Sequence, residues 1–591
     1  MPLKLLKKRR SGRVRTSSNP QMGACFSGFK EDRPKNGNKI IRVEQGLLEG
    51  TFLETSEGYK CDVFLGIPYA SPPCGPLRFQ KPQPPQRWSD VRKCGKFPNR
   101  SIHKEMPWDK ALASAPQSED CLYLNVHAPQ IREDKKYPVL FYIHGGGFMM
   151  DSAERYTAKN ICRLLVSKDI IVVTIHYRLG YLGFLSTGDD LCPGNFGLWD
   201  MLEALKWTHK NIASFGGDAE NITLSGQSAG GASADLLSYS PLAAGLFKRK
   251  IVMGGNLYCH WAVQKKSAVR EYCRDKAVRL GWKPRAEGYA DQRDESQEML
   301  DFFKTVPAGR LATTMFFNKT IFTECRLPLA PVIDGELLPD DIQTLRNTQT
   351  HVPSIVGGGE HEALLFAAIG LLRGTEKELR SAEAVIAQKT GLAISAVTDL
   401  IEKVYGDRGE SKSQRQKIYI NLVSDIFVNF ANHRFIEDQN SRKIPCYAYS
   451  FDHQSKQQWG WLQHVVPFTG GTHTSDVTYL FDCNYMSSPL GMTKIDKEVS
   501  RMTGEYFTNF VKFGSPNAHH PTSSPTWEPT ATPYKALSLK SEPEMRSTGY
   551  SGRMSMLAEF IEKMYEAPLT AKIMPPFENG PFSEVEIEVQ A

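Results

Sequence analysis

The sequence predicts an α/β fold with a mostly parallel central sheet, and three stretches of the chain indicate it. In the first, an apolar strand containing Ile222 and Leu224 runs into a G-x-S-x-G turn, and a run of small residues then opens a helix. In the second, a β-rich strand that starts near Pro138 ends in the glycine-rich sequence H-G-G-G-F. In the third, residues 170–175 are a continuous β-branched run. Such a run suits a central strand that is buried on both faces of a parallel sheet.

The G-x-S-x-G turn is the main indication of function. Gly226 and Gly230 allow the strand and the helix to pack closely, while Ser228 is held on a tight turn with its hydroxyl exposed. This arrangement is the nucleophile elbow of α/β-hydrolases. G-x-S-x-G also arises by chance in glycine-rich turns, so other motifs must support a nucleophilic role for Ser228.

Length and composition are those of a large globular chain. The 591 residues include 41% hydrophobic and 10% aromatic residues, which is enough to bury a large core. Several domains are the usual expectation at this length, but large α/β folds with long insertions can remain one unit. No apolar run reaches the roughly 18 residues that would indicate a membrane span.

The positive charge is concentrated at the N-terminus. Residues 1–40 contain eleven Lys/Arg and two Asp/Glu, a net charge of +9, whereas the whole chain carries +7. The remainder therefore carries about −2, which argues against a body that binds nucleic acid. A basic tail favours contact with an anionic surface such as a membrane. We predict a basic, disordered tail over residues 1–39 and peripheral membrane contact through it.

The N-terminal residues predict an intracellular protein. The basic run at residues 7–10 is not followed by the apolar core of a secretory signal. If translation began at Met22, the sequence M-G-A-C-F-S would be an N-myristoylation signal at Gly23 with a palmitoylatable Cys25 beside it. A chance Met-Gly pair in a disordered tail is the alternative. We expect the protein in the cytoplasm or on the cytoplasmic face of a membrane.

Three segments that follow the tail carry a family resemblance. They are, in order, F-L-G-I-P-Y-A at residues 64–70, G-P-L-R-F at 75–79 and S-E-D-C-L-Y-L-N-V at 118–126. Together with the serine turn they resemble the type-B carboxylesterases, a family of carboxylesterases, cholinesterases and neuroligins. The similarity extends from about residue 40 to residue 565.

The resemblance implies a domain organisation as well as a fold. It places an α/β-hydrolase domain over residues 40–568, with a mostly parallel sheet flanked by helices and large insertions that form a gorge. A C-terminal tail over residues 569–591 follows this domain. The resemblance also implies that Arg78 and Glu119 form a structural ion pair, so both are interpreted as part of the scaffold.

A serine nucleophile needs a base, and the base needs an orienting acid. In α/β-hydrolases the acid follows the serine and precedes the histidine in the chain. The family pattern places the acid five residues after a glycine that follows an apolar strand. Glu362 lies at that offset from Gly357, and Glu360 is the competing candidate.

The histidine and the oxyanion donors also come from the resemblance. The family pattern H-x-x-[E/D], followed by an apolar-aromatic run, matches His473 and Asp476. In the H-G-G-G-F stretch, glycines let backbone N–H groups approach a substrate oxygen closely. The implied oxyanion donors are the N–H groups of Gly146, Gly147 and Ala229, and a plain glycine turn is the alternative.

These motifs predict a serine hydrolase that cleaves a small-molecule carboxylic ester through an acyl-enzyme. Ser228 attacks the ester, His473 transfers the proton and Glu362 orients the imidazole. No cofactor or metal is implied, and no C-x-x-C or Cys/His cluster has zinc-like spacing. The sequence does not indicate an oligomeric state.

Two alternatives belong to other functional classes. Neuroligin-type relatives keep the fold and lose the serine, which would correspond to a catalytically silent adhesion or scaffold protein. A cholinesterase is the second alternative, but the choline-binding Trp of that group falls at Ala111 here, and Trp108 is out of register. Gln227 also replaces the Glu that most family members carry before the serine.

Whether the cysteines form disulfides and whether the sequons are glycosylated depends on the cellular compartment of the protein. By resemblance, Cys94 and Cys121 match the loop-closing disulfide of the family. In an intracellular protein we expect them as reduced thiols, although they could lie close enough to pair. Sequons at Asn99, Asn221 and Asn318 would matter only in a secreted chain.

Overall fold

A large β-sheet with helices on both faces forms the body of the protein in the computed structural model. The structure describes residues 38–105, 113–132, 134–315, 326–409, 411–483, 491–517, 525–531, 534–547, 553–558 and 560–561. Gly23, Cys25 and the C-terminal tail lie outside these residues, so the proposed tail boundaries remain predictions.

The strands and helices are numbered in chain order. The strands are β1 (Ile40–Val43), β2 (Gly46–Glu49), β3 (Thr51–Glu54), β4 (Lys60–Pro68), β5 (Arg92–Lys93), β6 (Arg100–Ser101), β7 (Gln117–Ser118), β8 (Tyr123–Pro129), β9 (Tyr137–Ile143), β10 (Ile171–Ile175), β11 (Gly217–Gln227), β12 (Arg249–Met253), β13 (Ser354–Gly359), β14 (Cys446–Phe451), β15 (Ala536–Leu539) and β16 (Glu544–Arg546). The helices are α1 (Ala158–Leu164), α2 (Gly180–Phe184), α3 (Phe196–Asn211), α4 (Ala229–Ser238), α5 (Lys266–Arg279), α6 (Gln292–Thr305), α7 (Ile342–Thr348), α8 (Leu364–Ala368), α9 (Glu376–Thr390), α10 (Ile394–Tyr405), α11 (Lys412–Ser424), α12 (Phe430–Ser441), α13 (Lys456–Trp459), α14 (Ser475–Phe481) and α15 (Lys494–Phe513). Among these helices none is by itself long and apolar enough to cross a membrane, and α9 with α10 passes that test only as a pair bent by 115°.

The main sheet of the described chain has eleven strands. Their order is β16-β15-β14-β13-β12-β11-β9-β10-β8-β4-β3. From β15 to β10 in this order every neighbouring pair is parallel. The pairs at both edges are antiparallel. The predicted α/β class with a mostly parallel sheet is therefore confirmed.

Both faces of the sheet are buried. In β9, Val139 and Phe141 belong to one hydrophobic core, whereas Leu140 and Tyr142 belong to the core on the other face. The alternation follows from strand geometry, in which successive side chains point to opposite faces. Every residue of β10 is buried, and this strand lies between β8 and β9. The central strand predicted from the β-branched run at residues 170–175 is confirmed.

The loops that carry the predicted site residues follow parallel strands of this sheet. The glycine-rich loop follows β9 and the serine turn follows β11, while the acid and histidine loops follow β13 and β14. Because the carboxyl ends of parallel strands lie at one edge of a sheet, the four loops converge there. This edge is also where α/β sheets usually bind their ligands.

Candidate active site

Ser228 lies between β11 and α4 in a strained backbone conformation. Its φ of 56° and ψ of −125° fall outside the regions that most non-glycine residues adopt. Its N–H donates to the carbonyl of Met253 over 2.8 Å, which fixes the turn to the neighbouring strand. A Cβ at Gly226 would lie 2.2 Å from the carbonyl oxygen of Gly230, and one at Gly230 would lie 2.1 Å from that of Ile143. Only glycine fits at these two positions, as the elbow motif requires.

The side chains of Ser228, His473 and Glu362 are hydrogen-bonded in series. The serine hydroxyl donates to Nε2 of His473 over 2.9 Å, and Nδ1 of His473 donates to Oε2 of Glu362. Oε1 of Glu362 accepts from the N–H of Gly359 over 2.6 Å. The lone pair of Nε2 therefore faces the serine hydroxyl, as proton transfer from serine to imidazole requires. Ser228 is only 8% exposed, less than the motif alone predicts, because the converging loops cover the turn.

The structure distinguishes the two candidate acids. Glu362 is buried and contacts His473, whereas Glu360 is partly exposed. The carbonyl oxygen of Glu360 accepts from Nδ2 of Asn429 over 3.2 Å. A Cβ at Gly358 would lie 2.4 Å from Oε1 of Glu362, so a glycine there leaves room for the carboxylate.

The loop after β9 presents backbone N–H groups next to the serine. A Cβ at Gly145 would lie 3.0 Å from the Cβ of Ser228. The next two residues, Gly146 and Gly147, have φ of 96° and 61°, and within the described ranges nothing accepts from their N–H groups. Ala229 is the first residue of α4, and the first N–H groups of a helix have no partner within it. These donors are available to a ligand oxygen.

Gln227 lies against the imidazole. Its Nε2 is 3.3 Å from Nε2 of His473, the same nitrogen that accepts from the hydroxyl of Ser228. A neutral amide at this place adds no negative charge, whereas a carboxylate there would favour the imidazolium form. The sequence indicated the missing charge but not the contact with His473.

Two further residues of the site were assigned no role from the sequence. Asp476 is buried, and one of its oxygens accepts from the hydroxyl of Tyr449 over 2.6 Å. Burial, followed by the negative charge of Glu362, raises the pKa of Asp476 to about 6. The ring of Phe366 lies 5.6 Å from the imidazole of His473. The H-x-x-[E/D] pattern could have drawn attention to Asp476, but no sequence signal places Phe366.

Cys94 and Cys121 are both buried free thiols in the described chain. The disulfide that the resemblance implies is therefore not formed in this structure. Sγ of Cys94 lies 3.8 Å from the carbonyl oxygen of Arg92. Burial raises the pKa of each thiol to about 12, so neither is a ready thiolate.

The expected scaffold ion pair is present. Nε and Nη2 of Arg78 each donate to the carboxylate of Glu119 over 2.6 Å. Nη1 of Arg78 also donates to the carbonyl of Val306 over 2.7 Å. Arg78 therefore joins three parts of the chain and is not part of the candidate site.

Three positions named from the sequence lie outside the described residues: Ala111, Trp108 and Asn318. Within the described part of the chain, no group of three or more His, Cys, Asp or Glu side chains could hold a metal ion.

The chain resembles known proteins along nearly its whole length. A family model described as "Carboxylesterase family" matches residues 37–557. The chain is 31% identical over 547 residues to Esterase cest-33 of Caenorhabditis elegans, which covers 90% of this chain and 95% of that protein. It is 31% identical over 574 residues to Bile salt-activated lipase of Bos taurus (91% and 90% covered), and 29% identical over 548 residues to Neuroligin-2 of Homo sapiens (81% and 61% covered). The predicted α/β-hydrolase fold is thereby confirmed, and this chain belongs to the carboxylesterase family.

Proposed function

We propose that this protein is a serine esterase that hydrolyses carboxylic esters through an acyl-enzyme. The observation that carries the proposal is the series of hydrogen bonds from Ser228 through His473 to Glu362. The names of two relatives, an esterase and a lipase, support ester hydrolysis as the reaction class. Neuroligin-2 is also a relative, so membership of the family does not by itself establish hydrolase activity.

In the first half-reaction, the oxygen of Ser228 attacks the carbonyl carbon of the ester, and Nε2 of His473 takes the serine proton. Negative charge then develops on the carbonyl oxygen. The N–H groups of Gly146, Gly147 and Ala229 stabilise this charge, and loss of one such donor typically costs roughly 3–4 kcal/mol. When the intermediate collapses, the bond to the alcohol oxygen breaks, and the alcohol leaves with the proton from Nε2.

In the second half-reaction, water attacks the acyl carbon, and Nε2 of His473 takes a proton from the water. That proton returns to the oxygen of Ser228 as the carboxylic acid leaves. In both halves the carboxylate of Glu362 holds Nδ1 and stabilises the imidazolium. The N–H of Ser228 is bound to Met253 and therefore does not serve as an oxyanion donor.

The alternatives explain less of the geometry. A silent scaffold has no need for a buried imidazole oriented by a carboxylate onto a serine. Nor does it need N–H groups beside that serine that donate to nothing in the described chain. A cholinesterase acts on a cationic ester, which negative charge near the serine would favour. The neutral Gln227 at this place supports an uncharged ester as the substrate.

The test uses a fluorophosphonate probe and a panel of p-nitrophenyl esters on the full-length parent, Ser228→Ala and Ser225→Ala. Ser225 is the matched control, because it lies on β11, the strand that leads into Ser228, and its hydroxyl donates to the carbonyl of Phe141 over 2.9 Å. We expect Ser228→Ala to lose labelling and turnover at near-parental thermal stability, and Ser225→Ala to keep both. A parent that is neither labelled nor active would support the scaffold alternative. Equal turnover by the parent and Ser228→Ala would refute the nucleophile.

We also propose that a form starting at Met22 is held on the cytoplasmic face of a membrane by acylation of Gly23 and Cys25. A single myristoyl chain binds reversibly, and each basic residue near an anionic leaflet adds about 1 kcal/mol, so neither is sufficient alone. In cell fractionation of this form, Gly23→Ala should move the protein to the cytosol and Cys25→Ser should weaken its retention. Glycans on Asn99, Asn221 or Asn318, or protein in the culture medium, would contradict an intracellular location.

A further inference from the structure

The helix behind the acid loop is interrupted by a π-turn. α11 and α12 are joined by Asp425–Asn429, and all five residues of this turn are buried. π-turns are rare within helices and occur frequently at functional sites. This turn and the end of α11 lie against the loop that carries Glu362.

Described side chains of α11 and the π-turn hydrogen bond to the residues on either side of Glu362. The contacts join Oδ1 of Asn421 to Nδ1 of His361 (2.8 Å), Oγ of Ser424 to the N–H of Ala363 (2.9 Å) and Nδ2 of Asn429 to the carbonyl oxygen of Glu360 (3.2 Å). The backbone before and after Glu362 is therefore attached to this helical segment. These hydrogen bonds thus hold the loop on both sides of the residue that carries the carboxylate.

The π-turn also reaches the imidazole through aromatic rings. The ring of Phe427 packs edge-to-face on that of Phe366, with 5.6 Å between their centres. The ring of Phe366 in turn lies 5.6 Å from the imidazole of His473. The carbonyl of Phe427 accepts from Nε1 of Trp261 over 2.9 Å, which fixes the turn to the residues after β12. A shift of the turn would thus disturb both the acid and the base.

The π-turn is held by a buried carboxylate. The side chain of Asp425 is fully buried and accepts from Nε and Nη2 of Arg553 over 2.5 and 2.8 Å. It also accepts from the hydroxyl of Tyr405 over 2.7 Å and from Nδ2 of Asn429 over 2.9 Å. A buried carboxylate needs such partners, because an unpaired buried charge is strongly destabilising.

We propose that Asp425 and Arg553 are positioning residues for the catalytic acid, an inference that rests on the proposed esterase function. Three consecutive hydrogen bonds make the connection. Arg553 donates to the carboxylate of Asp425, and the same carboxylate accepts from Nδ2 of Asn429. Nδ2 of Asn429 also donates to the carbonyl of Glu360. Without the guanidinium, the carboxylate of Asp425 is left buried without its cationic partner, and the π-turn rearranges to bring it to other partners or to water. The acid loop then loses its support, and the carboxylate of Glu362 no longer points at the imidazole.

The test compares the full-length parent with Arg553→Met, Arg553→Lys and Arg346→Met. Methionine removes the charge at similar length, and lysine keeps the charge without the bidentate fork. Arg346→Met is the matched control, because Arg346 forms a buried ion pair with Asp438 on α12. That pair makes no described contact with the acid loop. The measurements are kcat and KM for a p-nitrophenyl ester, the rate of fluorophosphonate labelling, and the thermal unfolding midpoint.

We expect Arg553→Met to lower kcat about 10- to 100-fold and to slow labelling, with KM within about twofold of the parent, since misplacement by about 1 Å can cost 100-fold in rate. Arg553→Lys should recover part of the loss. Arg346→Met should lower the unfolding midpoint and leave kcat unchanged. A folded Arg553→Met variant with parental kcat would overturn the inference, and so would an equal loss of kcat in Arg346→Met.

If Arg553→Met does not fold, Asn429→Ala decides the question. This variant leaves Arg553 on Asp425 and removes the link to Glu360, so its kcat should also fall, and a parental kcat would overturn the inference. A parent that is inactive and unlabelled at Ser228 would overturn the proposed function as well. An active parent with unaffected variants would overturn the positioning role alone.

Discussion

Replacing Glu362 with glutamine should nearly abolish ester hydrolysis while leaving the fold intact. The change keeps the side-chain shape but exchanges one carboxylate oxygen for an NH2 group. In the parent, one oxygen accepts from Nδ1 of His473 and the other from the N–H of Gly359 over 2.6 Å. Because the amide has a single oxygen, it loses one of these two contacts.

Both orientations of the amide are unfavourable. If its oxygen stays on Gly359, the NH2 faces Nδ1 and the imidazole carries its proton on Nε2, where it cannot accept from Ser228. If its oxygen faces His473, the N–H of Gly359 becomes a buried donor without an acceptor, which costs about 1–3 kcal/mol. We expect kcat to fall by roughly 10³- to 10⁴-fold, as when a triad carboxylate is neutralised. This loss corresponds to about 4–5.5 kcal/mol of transition-state stabilisation.

The assay is steady-state hydrolysis of an activated ester, with a thermal melt of each variant. Glu360→Gln is the matched control two residues away. It should stay within about threefold of the parent, because its described contact with Asn429 is made by the backbone carbonyl, which the change keeps. A larger loss in Glu360→Gln than in Glu362→Gln would transfer the role of the acid to Glu360. Retention of more than about a tenth of kcat by Glu362→Gln would refute the argument from its two contacts.

Three further changes test the surroundings of the site. Burial raises the pKa of Asp476 to about 6, above about 3.9 in an unfolded chain, so its stabilising contribution is complete below pH 4 and is lost as pH rises through 6. In the parent, Asp476 should therefore lower the free energy of unfolding by at most about 3 kcal/mol between pH 4 and 6, and Asp476→Asn should lack this decrease. If urea unfolding shows the same pH dependence in both proteins, the prediction is wrong. Gln227→Glu places a carboxylate beside Nε2 of His473. The midpoint of the acid limb of the kcat/KM profile should therefore rise by about one pH unit or more. An unchanged midpoint would show that residue 227 does not act on the imidazole. Gly146→Ala puts a Cβ 2.1 Å from the carbonyl oxygen of Met150, on a residue whose φ is 96°. Because the loop would shift, kcat should fall by roughly 100- to 1,000-fold. A parental kcat would exclude this loop from oxyanion binding.

Local sequence patterns were sufficient to predict the strands and turns whose conformation is set by residues adjacent in the chain. The run at residues 170–175 predicted a central strand because β-branched residues suit a strand covered on both faces. The G-x-S-x-G motif predicted the tight turn at Ser228 because only glycine allows the close backbone approaches at positions 226 and 230. Motif order then limited the acid to two candidates and singled out His473 among the fourteen histidines.

Tertiary structure decided which of these groups meet. Glu362 and His473 are 111 residues apart, and Asp425 and Arg553 are 128 apart, so no local pattern reports their contacts. The family resemblance implied a disulfide between Cys94 and Cys121, yet both are free thiols in the described chain. A local sequence pattern indicates which secondary structure a segment prefers and which of its side chains are buried. Which side chains then face each other depends on sheet order and on packing between distant segments, and these are determined only when the whole chain folds.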